Sequence, residues 1–230
     1  KVYYFDPHYH SNFNSVLVTD TCYFITGITT DTIFPYNPGA LFLKTDLNGN
    51  VILMKGLTDT LHRYETWFQS LYEDADGNLA THGYDYTFQG NNNFFIQYDQ
   101  NGNVRQLKYI QIDSTALQLI PYDMTKCKNG DYIISTANFD FNRPIYNITN
   151  FTRIDKNGNL IWNKGYELPP PQSLLHRLST TKDGGAVVGS WGDETPKKWN
   201  NKIHQTVLTK IDSLGNQNWV YYSTTNEDWS

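Results

Sequence analysis

Several features are scarce in this sequence of 230 residues, and each scarcity excludes a class of protein. The formal net charge is −5, so the chain lacks the basic surplus expected of a protein that binds nucleic acid or anionic lipid. No stretch of 18 apolar residues occurs, which argues against a membrane-spanning helix. Apolar residues nowhere repeat every 3.6 positions over the length of a helix, which argues against a helical domain.

Potential metal ligands and disulfide partners are also few. The chain has two cysteines, Cys22 and Cys127, which fall in non-neighbouring repeats. We therefore expect two small buried thiols and no disulfide between them. His8 and His10 are spaced to share one face of a strand, but a polar strand edge is favoured over a metal site. We expect neither a metal nor a cofactor.

Aromatic residues are abundant, with 17 Tyr, 12 Phe and 6 Trp making up 15% of the chain. Aromatic side chains fit the pleated, half-buried surface of a sheet, so this composition favours β-structure. The sequence begins at Lys1, with neither a Met nor an apolar leader. We expect it to be a processed form or a fragment of a longer polypeptide.

One motif, Asp-x-x-Gly-Asn, recurs through the chain and carries the strongest signal. Its aspartates are spaced 53, 56 and 57 residues apart, and each glycine follows three residues later. The four copies begin at Asp46, Asp99, Asp155 and Asp212, with glycines at Gly49, Gly102, Gly158 and Gly215. Self-similarity at a fixed period of this length is typical of repeat architectures.

Hairpin geometry explains the motif. An aspartate that opens a turn can accept hydrogen bonds from the backbone N–H groups ahead of it. The glycine supplies the left-handed residue of a type I turn followed by a bulge. Strand-like runs flank each copy, for example "FTRID" before and "NLIWNK" after the turn at Asp155. We therefore predict that each copy closes a β-hairpin.

A second hairpin precedes the motif in every period. Three of its turns contain a strong turn dipeptide (Asp76-Gly77, Asn129-Gly130 and Asp183-Gly184), and the fourth spans Thr19–Tyr23. Each period thus holds four strands, and four-stranded units repeated in this way predict an all-β β-propeller. We place its blades at about 15–57, 66–110, 117–166 and 174–223 of a single domain, 1–230. Four blades are few for closure, so we expect a larger propeller.

The motif also carries a family resemblance. The segments "KDGGAVVGSW" (Lys182–Trp191), "TKIDSLGNQNW" (Thr209–Trp219) and "FTRIDKNGNLIW" (Phe151–Trp162) resemble the propeller repeats of secreted and cell-surface proteins of Bacteroidota. Those proteins typically carry a C-terminal type IX secretion sorting domain. The resemblance implies export from a bacterium, association with the outer surface, and further blades or a sorting domain in the same polypeptide. It implies no single activity.

The candidate ligand-binding residues are aromatic. Long loops join the second and third strands of each blade, and they hold aromatic residues among Asn, Asp and Lys. Such residues on a rigid scaffold suit a protein or glycan surface, although capping of the blades explains them equally well. The predicted ligand-binding residues are Tyr36, Tyr84, Tyr86, Phe141, Trp191 and Trp199.

Two other kinds of site have partial support. The oxygen-bearing side chains of Asp46, Asn48 and Asn50 alternate like the start of a calcium loop, but the carboxylates that complete such a loop are missing, so a structural turn is favoured. Glycoside hydrolysis needs two carboxylates at a defined separation, for which the loop candidates are Asp85, Asp140, Asp193 and Glu194.

The sequence therefore predicts a non-catalytic, exported or cell-surface propeller module. Its role would be to bind a protein or glycan, or to act as a structural scaffold that takes part in adhesion. The alternative is a propeller-based enzyme, either a glycoside hydrolase or a protein like the quinone-dependent dehydrogenases. Neither nucleic-acid binding nor membrane insertion is expected.

Overall fold

The computed structural model describes residues 9–31, 38–57, 64–65, 70–87, 90–110, 119–138, 148–167, 174–193 and 204–223. The regular structure of these residues consists of β-strands. Within these ranges, no helix has the length and apolarity needed to cross a membrane. The chain forms two compact units, Lys1–Gln111 and Ile112–Ser230. Each unit contains two antiparallel sheets.

The first unit contains blades 1 and 2. Blade 1 is a meander of four strands, β1 (Tyr9–Val18), β2 (Cys22–Asp31), β3 (Pro38–Asp46) and β4 (Val51–Leu57). In blade 2 the first strand is replaced by two short segments, which both pair with the next strand. Blade 2 consists of β5 (Tyr64–Glu65), β6 (Tyr72–Glu73), β7 (Leu79–Thr87), β8 (Gly90–Tyr98) and β9 (Val104–Tyr109).

The second unit contains blades 3 and 4, both regular four-stranded meanders. Blade 3 consists of β10 (Leu119–Lys126), β11 (Tyr132–Asn138), β12 (Ile148–Ile154) and β13 (Leu160–Glu167). Blade 4 consists of β14 (Leu174–Thr180), β15 (Ala186–Asp193), β16 (His204–Ile211) and β17 (Gln217–Tyr222).

The prediction of an all-β fold built from four-stranded antiparallel blades is confirmed, and the fold is of the β-propeller class. The first blade begins earlier than residue 15, because β1 starts at Tyr9 and continues across a bulge between Phe13 and Ser15. Blade 2 likewise has a strand segment before residue 66, at Tyr64–Glu65.

The four Asp-x-x-Gly-Asn turns have one backbone geometry. In the first copy the Gly49 N–H donates to the Asp46 carbonyl over 3.0 Å, and the Asp46 N–H donates to the Asn50 carbonyl over 2.9 Å. Gly49 has a φ of 75°, and the other three turn glycines have φ between 68° and 80°. The strand register shifts by one residue beside each turn. These are the marks of a type I turn followed by a bulge.

In blades 1 to 3 the third strand is buried on both faces, whereas the outermost strand of each blade is partly exposed. All but two residues of β3 are buried, while β4 is exposed or half-buried along its whole length. Burial on both faces explains why the sequences of these third strands do not alternate between apolar and polar residues.

The apolar core of each unit lies between its two blades. In the first unit Phe24 and Phe42 of blade 1 pack with Phe94 and Ile96 of blade 2. In the second unit blade 3 residues such as Phe151 pack with blade 4 residues such as Val188 and Ile211. Because each sheet must bury a face, a neighbouring blade supplies the hydrophobic partner that a single blade lacks.

The two cysteines are buried free thiols. Cys22 belongs to the core of the first unit and Cys127 to the core of the second. Both side chains serve as small apolar groups, and the Cys22 sulfur also lies 3.3 Å from the Thr19 hydroxyl.

The turn glycines also sit where two blades touch. A Cβ atom on Gly215 of blade 4 would lie 2.8 Å from the Trp162 ring of blade 3. A Cβ atom on Gly102 of blade 2 would lie 2.6 Å from the Phe42 ring of blade 1. Real Cβ atoms do not approach other carbon atoms so closely, so these glycines are required by contact as well as by φ.

A matched pair of glycine variants separates these two requirements. Gly184 and Gly215 have nearly the same φ, 79° and 80°, but a Cβ on Gly184 would meet only Ser213 at an ordinary 3.5 Å. We expect Gly184→Ala to cost about 1 kcal/mol of unfolding free energy, from the left-handed backbone alone. We expect Gly215→Ala to cost about 2–4 kcal/mol, because overpacking against the ring is added.

The urea midpoint of each variant, followed by circular dichroism, measures the difference. Equal midpoints for Gly184→Ala and Gly215→Ala would contradict the contact between the turn of blade 4 and the face of blade 3.

Candidate functional site

The end of each blade that carries the Asp-x-x-Gly-Asn turn, here named the turn end, has its polar groups engaged internally. In blade 1 the Asp46 Oδ1 accepts the N–H groups of Asn48 and Asn50 over 2.9 and 2.7 Å. Its Oδ2 accepts the side-chain amide of Asn50 over 2.7 Å. Equivalent bonds form at Asp99, Asp155 and Asp212.

These bonds explain why each glycine is followed by Asn, and they favour the charged carboxylate. The side-chain and backbone bonds from Asn103 hold the pKa of Asp99 below its usual value. Among the described residues, no group of three His, Cys, Asp or Glu side chains is placed to hold a metal ion. The Asp46 carboxylate, which resembled a calcium ligand in the sequence, instead accepts the N–H groups of Asn48 and Asn50 and the side-chain amide of Asn50.

A fifth copy of this turn lies in blade 2, in addition to the four regular copies. Asp74, Gly77 and Asn78 close the first hairpin of blade 2, and the Asp74 Oδ1 accepts the N–H groups of Asp76 and Asn78 over 2.8 and 2.9 Å. The segment "DADGN" has the same spacing as the four regular copies. It lies off the period of the other four copies, in the first hairpin of its blade.

A long polar side chain joins the two turns of a blade. Two residues before the turn aspartate, Gln97 of blade 2 donates to Asp74 over 3.2 Å, and Lys210 of blade 4 donates to Asp183 over 2.8 Å. In blade 3 the buried Arg153 lies 2.9 Å from the Asp131 carboxylate. Its Nη1 also donates to the Ser213 carbonyl of blade 4 over 2.8 Å.

The Lys210 bond lowers the pKa of Asp183 well below its usual value, and hydrogen bonds from Thr181 and Gly185 act in the same direction. A buried cation is tolerated only where its donors are satisfied, and Arg153 meets that condition with a carboxylate and two carbonyl groups. The charged side chains of the turn end are therefore hydrogen-bonded within the protein, and this end is a rigid part of the scaffold.

Three of the predicted ligand-binding aromatic residues, Tyr84, Tyr86 and Trp191, lie in the half of their strands away from the turn end. Tyr36, Phe141 and Trp199 lie outside the described residues. The prediction that Tyr84, Tyr86 and Trp191 lie in long loops is wrong, because Tyr84 and Tyr86 belong to β7 and Trp191 to β15. In blade 2 the second and third strands stay paired up to Thr87 and Gly90, so their connection is short. Tyr84 is half-buried in β7.

Tyr84 and Trp191 occupy equivalent positions in two different blades. The backbone of Tyr84 pairs with Asn93, six residues before Asp99. That of Trp191 pairs with Thr206, six residues before Asp212. The alignment places an aromatic residue at the same level of blades 2 and 4, before the connection between their second and third strands.

Blade 2 contains a cluster of buried polar groups near Tyr84. The Ser70 hydroxyl lies 3.1 Å from the His82 Nδ1, and the Thr81 hydroxyl donates to the Ser70 carbonyl over 2.7 Å. Asp85 is buried, and its Oδ2 accepts the Tyr109 hydroxyl over 2.8 Å. Complete burial lowers the pKa of His82 to about 3, so this imidazole is neutral near pH 7.

Blade 3 contains one buried carboxylate beside a bulge. Asp123 follows a register shift in β10, and its Oδ1 accepts the Met124 N–H over 2.9 Å. Its Oδ2 accepts the Leu178 N–H of blade 4 over 2.7 Å. Burial raises the pKa of Asp123, although the two N–H bonds oppose the change. The bonds make Asp123 a bridge between the first strands of blades 3 and 4.

The carboxylates suggested for catalysis are only partly described. Asp140 and Glu194 lie outside the described residues, Asp193 ends β15, and Asp85 is the buried partner of Tyr109. His8 also lies outside them, and His10 is exposed in β1. Sequence reasoning missed Asp123 and His82, because both lie within strand-like runs, and nothing local marks either side chain as buried.

Comparisons with known proteins match the fold and leave the activity open. No protein-family description and no curated protein matches the sequence. Among solved structures, a protein of unknown function from Dyadobacter fermentans has 10% identity and a TM-score of 0.56, over 95% of this chain and 77% of that one. A protein of unknown function from Bacteroides caccae has 12% identity and a TM-score of 0.50, over 95% and 69%.

An endo-arabinase from Bacteroides thetaiotaomicron is similar at 12% identity and a TM-score of 0.53, over 85% of this chain and 73% of that one. At such low identities the likeness concerns the fold alone.

The buried His82 predicts a pH dependence of stability. Its pKa in the folded protein lies below the usual 6.5, so between pH 6.5 and 3 the unfolded chain takes up a proton that the folded chain does not. The contribution of the neutral His82 to the free energy of unfolding is therefore fully present above about pH 6.5, and it is lost as the pH falls. We expect His82→Gln to flatten the decline in melting temperature between pH 7 and pH 5.

Melting curves at half-unit pH steps, for the native chain and for His82→Gln, test this expectation. His10→Gln is the matched control, because His10 is exposed and its replacement should leave the slope unchanged. Parallel slopes for the native chain and His82→Gln would contradict the neutral, buried state of His82.

Proposed function

We propose that this chain is a non-catalytic β-propeller module that binds a protein or glycan through the loop-bearing end of its blades, opposite the turn end. The observation that carries the proposal is the contrast between the two ends. The carboxylates of the turn end accept hydrogen bonds from groups of the same blade. Recognition therefore falls to the other end.

Aromatic residues support this assignment. Tyr84 and Trp191 lie at one level of two blades, and Tyr86 follows Tyr84 in β7. In the sequence, Tyr36, Phe141 and Trp199 fall between the second and third strands of blades 1, 3 and 4. Aromatic side chains offer a large contact area at a small cost in conformational entropy, and they pack well on sugar rings and on apolar protein surfaces. The rigid blades hold them in place.

The module is proposed to act outside the cell. The repeats resemble those of secreted and surface proteins of Bacteroidota, and two of the similar structures come from species of Bacteroides. An exported module of this kind would serve adhesion or the presentation of other domains of the same polypeptide.

Binding measurements test the proposal. We expect the chain to bind on a glycan array or to an isolated surface protein, and each of Tyr84→Ala and Trp191→Ala to weaken the measured Kd at least tenfold, about 1.4 kcal/mol or more. Calorimetry with the bound oligosaccharide or purified protein gives the Kd.

Leu47→Ala and Leu214→Ala are the controls, because both leucines are exposed at the turn end, at 49% and 65%. They should bind as the native chain does, and circular dichroism should show all four variants folded. Binding that survives both aromatic substitutions and is lost with either leucine would move the site to the turn end.

A second candidate function is glycoside hydrolysis, and two observations favour it. The buried carboxyl of Asp123 has a raised pKa, as a general acid requires, and one structure of similar fold is an endo-arabinase. If this function holds, the chain releases reducing sugar from arabinan and Asp123→Asn lowers that rate at least a hundredfold. Our proposal expects no release by the native chain above that of a buffer blank.

A further inference from the structure

The outer face of blade 4 presents three large apolar side chains to solvent. Leu208 of β16 and Trp219 and Tyr221 of β17 are 36%, 46% and 58% exposed. Leu208 pairs directly with Tyr221, and Trp219 lies two residues before Tyr221 on the same strand. The three side chains therefore share one face of the sheet, here named the outer face of blade 4.

The equivalent face of blade 3 is covered by blade 4. Phe151, at the position of Leu208, is completely buried, and Trp162, at the position of Trp219, packs in the core between the blades. The Trp162 ring lies against Gly215 of the blade 4 turn, and its Nε1 donates to the Ser213 carbonyl over 3.1 Å. Lys164, at the position of Tyr221, donates to Asn216 over 2.5 Å.

The first unit repeats this interface, but the ring that receives the glycine comes from a different position, that of Phe151. Phe42 of blade 1 is 1% exposed, and Gly102 of the blade 2 turn lies against its ring. Lys55, at the position of Lys164, donates to Asn103 of that turn over 2.7 Å. In both units, therefore, the Gly-Asn pair of one turn docks on the preceding blade, glycine on a ring and Asn on a lysine.

We propose that the outer face of blade 4 binds a further four-stranded blade, whose Asp-x-x-Gly-Asn turn docks on Trp219. Trp219 stands at the position of Trp162, the ring that receives the glycine in blade 3. The Tyr221 hydroxyl replaces the Lys164 ammonium as the donor to the turn Asn. Leu208 is buried by the inner strands of the added blade, as Phe151 is by Val188 and Ile211.

The pattern of the interface specifies the occupant. Its turn must carry glycine, because a side chain would collide with the tryptophan ring as a Cβ on Gly215 would with Trp162. Its inner strands must present small or branched apolar side chains, as Ala186, Val188 and Ile211 do. A blade of this same repeat meets each requirement, and blade 4 itself is one such blade.

The test adds that blade to the full chain. A second copy of residues 168–223 is joined after Thr224, the residue equivalent to Glu167, so that the connection repeats the one between blades 3 and 4. Tyr221→Cys in the original copy supplies a reporter thiol, and both natural thiols are buried. We expect maleimide to label this reporter at least tenfold more slowly in the extended chain than in the 230-residue chain with the same substitution.

Two controls keep the result specific. Val18→Cys, at a position 64% exposed in β1, should be labelled equally fast in both chains. Gly215→Trp, made only in the added copy, should return the reporter to the rate of the 230-residue chain, because the turn can no longer approach Trp219.

Three outcomes would overturn the proposal. One is a reporter labelled equally fast in both chains, whether or not the added blade folds, since a blade with a matching face available should fold upon it. Another is protection of the reporter in the 230-residue chain that rises with its concentration together with a dimer in sedimentation, which assigns the face to a second copy. The third is saturable protection by an oligosaccharide, which assigns it to a sugar.

Discussion

The contact between a turn glycine and the aromatic ring of the preceding blade is the constraint on which the rest of each unit depends. Gly102 on Phe42 and Gly215 on Trp162 leave no space for a Cβ, so the backbone of one blade reaches the face of the other. That approach brings the neighbouring Asn within reach of a lysine and seals the apolar core between the two blades.

The Asp-x-x-Gly-Asn motif therefore has two structural roles, one within its blade and one between blades. Within a blade the aspartate closes a hairpin by accepting two backbone N–H groups and one side-chain amide. Between blades the glycine and the Asn make the contact. A long polar residue two positions earlier, such as Arg153, ties the two hairpins of its blade together and reaches the next blade. The fixed spacing in the sequence reflects this double use.

The hydrogen bonds of the turn end give that end of each blade a structural role. Hydrogen bonds at that end rigidify the scaffold and leave the carboxylates charged and occupied, as the lowered pKa of Asp183 illustrates. Two buried carboxylates elsewhere also have partners, since Asp123 bonds across to blade 4 and Asp85 to Tyr109. Rigid blades with occupied polar groups suit a module that positions loops.

The sequence by itself determined the local structure. The spacing of Asp46, Asp99, Asp155 and Asp212 was enough to predict the hairpins and the four-stranded blades, because a turn requires particular residues at short range. It also indicates aromatic residues such as Tyr84 as candidates for binding, although Tyr84 lies in β7 and not in a loop.

Only the tertiary structure decided which residues meet across strands and blades. The burial of His82 and Asp123, the ring beneath Gly215 and the exposed outer face of blade 4 depend on contacts between residues far apart in the chain. Burial and docking are properties of packed neighbours, and a single segment of sequence carries no record of what packs against it.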